Sequence, residues 1–294
     1  MKKRSIAKVL LVLLLFSIAL ALMIYPFIAN YLFENKTESV VNAVEQAAEE
    51  ADDEELKAAI EAARQYNEVI ANGHVQLTDP FIEDELKKDS EEYDSLLCIT
   101  DDGVMGFIEI PSIDVSLPIY HGTSEQVLEK GVGHLQGTSL PVGGESTHAV
   151  LTGHTGLSSA KLFTDLTELE EGDIFFLNVM GEKLAYEVDQ IKVVLPTELN
   201  DLSIETGKDY CTLVTCTPYG VNTHRLLVRG ERTDYEEAVQ NQETSPKKTV
   251  ESKWMAEYKR ALLISVVCFL VCFVIVQCIR YYKKYRSQTV DDFC

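Results

Sequence analysis

Cys216 closes a mainly apolar run, Tyr210-Cys211-Thr212-Leu213-Val214-Thr215, and Pro218 follows two residues later. Proline has no N–H to give a central ladder, so the run reads as a strand that stops at the thiol. A side chain at a strand end is firmly held yet reachable. After a loop containing Pro218, Tyr219, Gly220 and Asn222, the next strand begins near Arg225. If the two strands are neighbours, thiol and guanidinium share one end. A nucleophile beside a fixed cation is what acyl transfer needs, because negative charge develops on the attacked carbonyl. His154 ends another apolar run, Val150-Leu151-Thr152-Gly153-His154-Thr155-Gly156, where two glycines let the backbone turn and leave the imidazole open. It is the candidate acid or base. The other histidines make weaker candidates: His121 and His134 lie in Gly-rich loops, His148 starts a strand, His74 precedes an acidic stretch, and His224 would face the side of its strand opposite Arg225. Spacing alone leaves a buried thiol and a surface histidine as the alternative for Cys216 and His154.

Two apolar segments frame these residues. Residues 9–24 are apolar apart from Ser17 and run on through 25–29, after a basic start of Lys2, Lys3, Arg4 and Lys8. A cleaved signal peptide starts the same way, but its apolar part stops at about 7–15 residues, so the segment is read as an uncleaved anchor. Residues 261–279 have only Ser265 and Gln277 as polar interruptions and lead into Arg280, Lys283, Lys284 and Arg286. With basic flanks on both outer sides, the expected topology is two-pass, both termini cytoplasmic and everything between outside. The formal charge is −21, of which residues 1–8 carry +4 and 280–294 carry +2, leaving −27 on 9–279. So acidic a region argues against nucleic-acid binding and fits a well-solvated domain or substrates offering a positive group. Of seven cysteines, Cys268, Cys272 and Cys278 lie in the second span and Cys294 in the tail, so only Cys98, Cys211 and Cys216 fall between the spans, an odd number that leaves at least one thiol there unpaired within the chain. No CxxC or HxxxH spacing occurs, so neither a metal site nor a cofactor is expected.

Between the spans, 40–70 is rich in Ala and Glu, with Val41, Val44, Ala48 and Ala51 at helical spacing, and reads as one acidic amphipathic helix broken by Gly73. From Thr78-Asp79-Pro80-Phe81 to Asp94 the chain reads as irregular and surface-exposed. Short β-type runs then alternate with turn signals: 106–110, 115–120, 148–152, 174–179, 184–188, 191–194, 211–215 and 225–229. Eight strands at such intervals predict an all-β barrel or sandwich. Residues 124–130 and 158–169 are the expected short helices, the latter N-capped by Ser158. Residues 236–253 are polar without periodicity and read as a linker. The resulting order is a cytoplasmic 1–8, an anchor over 9–31, a helical region over 32–105, a catalytic barrel over 106–235, a linker over 236–260, a span over 261–279 and a cytoplasmic tail over 280–294.

Thr215-Cys216-Thr217-Pro218-Tyr219-Gly220 with Asn222-Thr223-His224-Arg225, preceded by Thr152-Gly153-His154, resembles the sortases, specifically the class C, pilus-polymerising sortases of the Gram-positive cell wall. Tyr120-His121-Gly122-Thr123, Gly131-Val132-Gly133-His134-Leu135 and Leu162-Phe163-Thr164-Asp165-Leu166 are similar to that class as well, and two membrane spans fit it. Asp79-Pro80-Phe81 matches its lid motif. The resemblance implies an eight-stranded sortase-like β-barrel with His154, Cys216 and Arg225 as catalytic residues. It also implies a lid (79–81) in which Asp79 pairs with Arg225 and Phe81 shields Cys216. Thr215 and Tyr219 are candidate substrate contacts. The implied reaction cuts an LPxTG-like sorting signal after its Thr, carries the acyl group as a Cys216 thioester, and resolves it with a pilin lysine. Two alternatives stay open: a sortase that attaches surface proteins to cell-wall precursor, and a non-catalytic membrane-anchored adhesion or sensor domain on the same barrel.

Overall fold

The computed structural model describes residues 2–73, 77–81, 91–100, 102–157, 159–244 and 253–291. They form two units, 1–250 and 251–294. The second is a single helix, Lys253–Asp291, whose stretch from Tyr258 to Cys278 is long and apolar enough to cross a bilayer.

In the first unit, a 49-residue helix, α1 (Lys2–Glu50), runs without interruption from the apolar N-terminal segment through Pro26 and onto the folded domain. It ends inside the stretch whose periodicity predicts one continuous helix. Asp52 adopts an extended backbone and its Oδ1 accepts the Glu54 N–H at 2.8 Å, starting α2 (Asp53–Asn72) with three carboxylates in the first turn. Such residues satisfy orphan N–H groups and complement the positive helix end, so the single helix expected over 40–70 becomes two. The short α3 (Glu91–Ser95) follows. It buries Tyr93, and Asp79 and Pro80 are buried as well. Within 78–94 the outcome is therefore mixed: Thr78, Glu91, Glu92 and Asp94 are exposed as expected, whereas Asp79, Pro80 and Tyr93 are buried, because Asp79 and Tyr93 find partners far away in sequence. His74 and most of the acidic stretch lie outside the described residues.

Eight strands close into a barrel: β1 (Val104–Ile110), β2 (Val115–His121), β3 (Val132–His134), β4 (Thr147–Thr152), β5 (Ile174–Val179), β6 (Glu182–Val194), β7 (Asp209–Thr217) and β8 (His224–Thr233). Their order is β1-β2-β3-β4-β7-β8-β6-β5, with β2/β3 and β4/β7 parallel and the other pairs antiparallel. Eight strands were expected, but two of them differ in kind. The runs 184–188 and 191–194 are one strand, β6, whose register against β8 shifts between Val188 and Gln190. That bulge admits the polar Asp189, which pairs with Arg229 at 2.7 Å. The eighth strand is β3, in a stretch expected to be loop; with three residues and two glycines flanking Val132 it carries too little pattern to be seen.

Side chains from the strands fill the interior, among them Ile108, Ile119, Leu151, Phe175, Leu177, Leu213 and Val228. The outer faces are covered piecemeal. On β1 a register shift between Val104 and Gly106 turns both Val104 and Phe107 outward against Val41 and Val44 of α1. Over β5 and β6, Ile174, Phe176 and Ala185 pack on Tyr235, Ala238 and Val239 of α5 (Tyr235–Thr244), a helix formed in the first part of the expected linker. Two-sided cover explains why every residue of β5 is buried. Of the short helices, α4 (Glu125–Leu128) forms as expected, whereas 158–169 yields only a 3-10 helix, Thr164–Glu168, and Ser158 lies outside the described residues.

α2 is tied to the barrel by Asn67, whose Nδ2 donates to the Leu140 carbonyl at 3.0 Å while its Oδ1 accepts the Leu140 N–H at 2.6 Å. All these groups are buried, so removing the amide orphans a donor and an acceptor together. Asn67→Ala in a soluble fragment lacking both the apolar half of α1 and the helix Lys253–Asp291 is expected to lose about 2–4 kcal/mol of stability in urea unfolding.

Candidate active site

Strand β7 brings the site together from both of its sides. In the antiparallel ladder with β8, Cys216 stands directly opposite Arg225, so thiol and guanidinium project on the same face of adjacent strands. In the parallel ladder with β4, Thr152 is level with Val214, and the Gly153 N–H continues it by donating to the Val214 carbonyl at 3.1 Å. Thr215 then donates its hydroxyl to the Gly153 carbonyl at 2.7 Å. His154 leaves from this clamp. Its own carbonyl accepts the Phe163 N–H at 3.1 Å, and the Phe163 ring lies where a Cβ on Gly153 would stand, 2.7 Å from it. Only glycine fits there, which is why the residue before His154 has no side chain. Gly156, at φ +79°, faces the ring of Tyr219 across the mouth of the site.

The lid segment closes over this arrangement. Both carboxylate oxygens of Asp79 accept from Arg225, Oδ1 from Nε at 2.8 Å and Oδ2 from Nη2 at 2.5 Å. Nη1 donates to the Asn222 and His224 carbonyls, each at 3.1 Å, fixing the guanidinium plane. The Phe81 ring lies between the other two groups, its centroid 5.6 Å from the His154 ring and 4.9 Å from the Arg225 Cζ. Cys216 is left 8% exposed. Phe81 and Leu77 settle on an apolar groove outside the barrel made by Leu135, Val150, Val214, Leu227 and Leu202, with Val194 and Leu199 at its edge. Leu77 was missed from the sequence. Its signal was an apolar residue two before Asp79, which acquires meaning only once the groove is seen.

Burial pushes the Cys216 thiol above its ordinary range; the Arg225 cation pulls it down and the Asp79 carboxylate pushes it up again. Burial likewise pushes the His154 imidazole down, with Glu125 and Glu129 pulling the other way. Under the closed lid, thiol and imidazole both favour their neutral forms. For Arg225 burial disfavours the cation, but the hydrogen bonds to Asp79 and the charges of Cys216 and Asp79 outweigh it and keep the guanidinium charged.

The structure thus brings His154, Cys216, Arg225, Asp79 and Phe81 together, and Tyr219 to their rim. Thr215 is different. Its side chain is buried and its hydroxyl engaged by Gly153, so it secures the backbone ahead of His154 and does not face a ligand. Two of the histidines given weaker cases, His134 and His148, are held in structural networks. His134 is fully buried between the Tyr93 hydroxyl and the Ser139 carbonyl, each 2.8 Å from a ring nitrogen, and burial lowers its pKa to about 4. His148 is bonded to the Ser203 carbonyl and the Thr212 hydroxyl.

A sortase domain model matches residues 108–233. The chain is 33% identical over 130 residues to sortase D of Bacillus subtilis, a match covering 43% of this chain and 63% of that relative, just under two thirds of its length. Among solved structures, Streptococcus pneumoniae sortase C aligns with a TM-score of 0.61 and 42% identity over 67% of this chain and 97% of that one. Actinomyces oris sortase C-1 aligns with a TM-score of 0.58 and 49% identity over 61% of this chain and 99% of that one. With nearly the whole of both solved chains matched at such identity, and with a thiol, an imidazole and a guanidinium converging at the end of a closed eight-stranded barrel, the chain belongs to the sortase family of cysteine transpeptidases, and its solved neighbours are sortases of class C.

Proposed function

We propose that this chain is a membrane-bound pilin transpeptidase that cleaves an LPxTG-like sorting signal and joins the acyl fragment to a lysine of another pilin. The observation that carries the reading is the lid. Asp79 grips the Arg225 guanidinium, the cation that stands opposite Cys216, and the Phe81 ring lies against both that cation and His154. The S. pneumoniae sortase C similar to this chain is described in terms of pilin substrate specificity, which agrees with it.

In the proposed reaction a sorting signal displaces Leu77 and Phe81 from the groove and Arg225 exchanges Asp79 for substrate. Cys216 attacks, as the thiolate, the carbonyl of the signal's Thr. Charge gathers on the carbonyl oxygen and Arg225 neutralises it. The Thr–Gly bond breaks as His154, as imidazolium, gives a proton to the departing Gly amine, leaving a Cys216 thioester and a neutral imidazole. A neutral lysine amine of the next pilin then attacks the thioester. Its proton passes to His154, the thiolate leaves, and an isopeptide bond remains. Because the closed site favours the neutral thiol and imidazole, lid opening is also what admits the water and substrate that change those preferences. The apolar stretches of the two long helices serve as anchors, with both termini cytoplasmic, the barrel outside, 106–235 as the catalytic region and 236–260 as the linker to the second span.

Incubating the protein with a pilin and its sorting-signal peptide is expected to give a ladder of multimers and a trapped thioester. Cys216→Ala should give neither, and full polymerisation by that variant would refute the reading. A wall-precursor acceptor would show instead as a thioester with no ladder. Arg225→Lys should fall by about 100-fold or more in peptide cleavage, since a point charge does not reproduce the planar fork. For the lid, alkylation of Cys216, taken over a Cys216→Ala background, should climb only as pH rises past the ordinary thiol range. In Phe81→Ala or Asp79→Ala the thiol is less buried or loses a nearby negative charge, so the climb should begin at lower pH. Labelling at neutral pH is then faster by about tenfold for each pH unit by which the climb moves. Unchanged labelling in both variants would remove the lid's gating role.

A further inference from the structure

Three loops and turns mark one end of the barrel. The β1–β2 turn holds Ile113, whose carbonyl accepts from Lys161 Nζ at 2.6 Å; Lys161 lies in the loop after His154, and that loop returns through Phe163 to the His154 carbonyl. The same end carries the finish of β7 and the start of β8, because Cys216 pairs with Arg225 and Arg225 with Val194, the last residue of β6. It is the catalytic end. The far end carries the Met180-Gly181 turn between β5 and β6.

α1 runs along β1 with a defined direction. Asn30 Oδ1 accepts the Lys161 N–H at 2.8 Å, and Phe33 and Thr37 line a cavity with Asp114, Val115 and Leu162, all at the catalytic end. Further along, Val41 and Val44 meet Val104, and Ala48 approaches Gly181 at the far end. The apolar part of α1, which finishes at Ala29, therefore leaves the domain from the catalytic end. Residues 9–29 make about 30 Å of helix, the thickness of a hydrocarbon core, and Asn30 touches the catalytic loop in the very next residue. A bend at Pro26 could tilt the barrel but not exchange its ends, since Pro26 and Asn30 are about one turn apart.

A second feature is independent of α1. Among the described residues of the barrel, 104–233, the large hydrophobic side chains left exposed are Val193, Leu195, Tyr219 and Val221, at 45% to 64%. All four belong to the catalytic end, on the exit of β6 and the β7–β8 loop, and the far end has none among the described residues. Aliphatic residues with a tyrosine are the composition of a surface that meets the lipid headgroup layer.

We infer that the catalytic end of the barrel faces and contacts the bilayer that holds α1, with Val193, Leu195, Tyr219 and Val221 in the headgroup layer. This rests on the reading of α1 as an anchor. The site then works within the interfacial layer, about 5–7 Å thick on each side.

The test uses the full chain in phosphatidylcholine vesicles, a zwitterionic lipid chosen because the acidic domain would be repelled by anionic ones. Trp254, the chain's single tryptophan, is replaced by Phe. A reporter is then introduced as Val221→Trp or, independently, Leu195→Trp, with Glu145→Trp near the far end as the control. Acyl chains brominated near the headgroup are expected to lower emission at 221 and 195 by about twofold or more and leave 145 unchanged. Vesicle flotation is read in parallel on the same protein ending at residue 250, so that the span Tyr258–Cys278 is absent and flotation reports α1 alone. If the protein floats but 221 and 195 are unquenched, or 145 is quenched equally, the orientation is wrong while the anchor stands. If the protein fails to float, the anchor falls and the orientation with it. Cleavage of a soluble sorting peptide reports the transpeptidase reading separately from either result.

Discussion

Strand β7 is hydrogen-bonded on one side to β4, in parallel, and on the other to β8, antiparallel, and the register of both ladders places His154 and Arg225 around Cys216. Side chains alternate along a strand with a period of two. A slip of one residue against either neighbour would send Cys216 into the packed interior and Thr215 onto the groove. The interior prevents that slip. Cys211 and Leu213 lie in the main core while Val214 lies in the groove cluster, so the two faces of β7 are anchored in different apolar surroundings. Thr215 adds a local lock by bonding to the residue ahead of His154. Catalytic geometry here is a consequence of barrel packing, and the barrel is what tolerates no other alignment.

Over that rigid frame the lid is held by few contacts of strong directionality. The Asp79 carboxylate and Arg225 guanidinium meet fork to fork in a buried setting. Charged hydrogen bonds of this kind are short and orienting, yet much of their attraction offsets the cost of leaving water. On the proposed reading of the lid, a buried pair with that balance suits a latch: it specifies one closed arrangement without adding great stability to it, and a substrate that offers Arg225 another negative centre competes for it. The apolar half of the latch works the same way, since Leu77 and Phe81 occupy a groove that another apolar side chain could fill.

α1 joins two chemically different stretches in one helix. Its N-terminal part is apolar on all sides, whereas its C-terminal part presents Val41 and Val44 to β1 and acidic residues outward. Because no break separates the two parts, orientation is transmitted through the helix's hydrogen bonds. A flexible tether would have left the barrel free to turn; a continuous helix does not.

The sequence by itself determined the helical character of the two apolar segments, six of the strands closely, and the strand-end positions of Cys216, His154 and Arg225, because period, proline, glycine and length are local signals. The motif around Cys216 also carried the family and the barrel. Only the tertiary structure decided that Leu77 sits in the groove, that Thr215 is a clamp, that β6 is one bulged strand and that β3 exists at all. It also decided where Asp79 goes, since its partner lies 146 residues away. The helix break at Asp52 was written locally, in an extended Asp followed by acidic residues, but a run of strong helix formers on both sides concealed it. The protonation preferences of Cys216 and His154 come from burial beneath a lid, and burial is a property of the assembled chain that no short stretch of sequence contains.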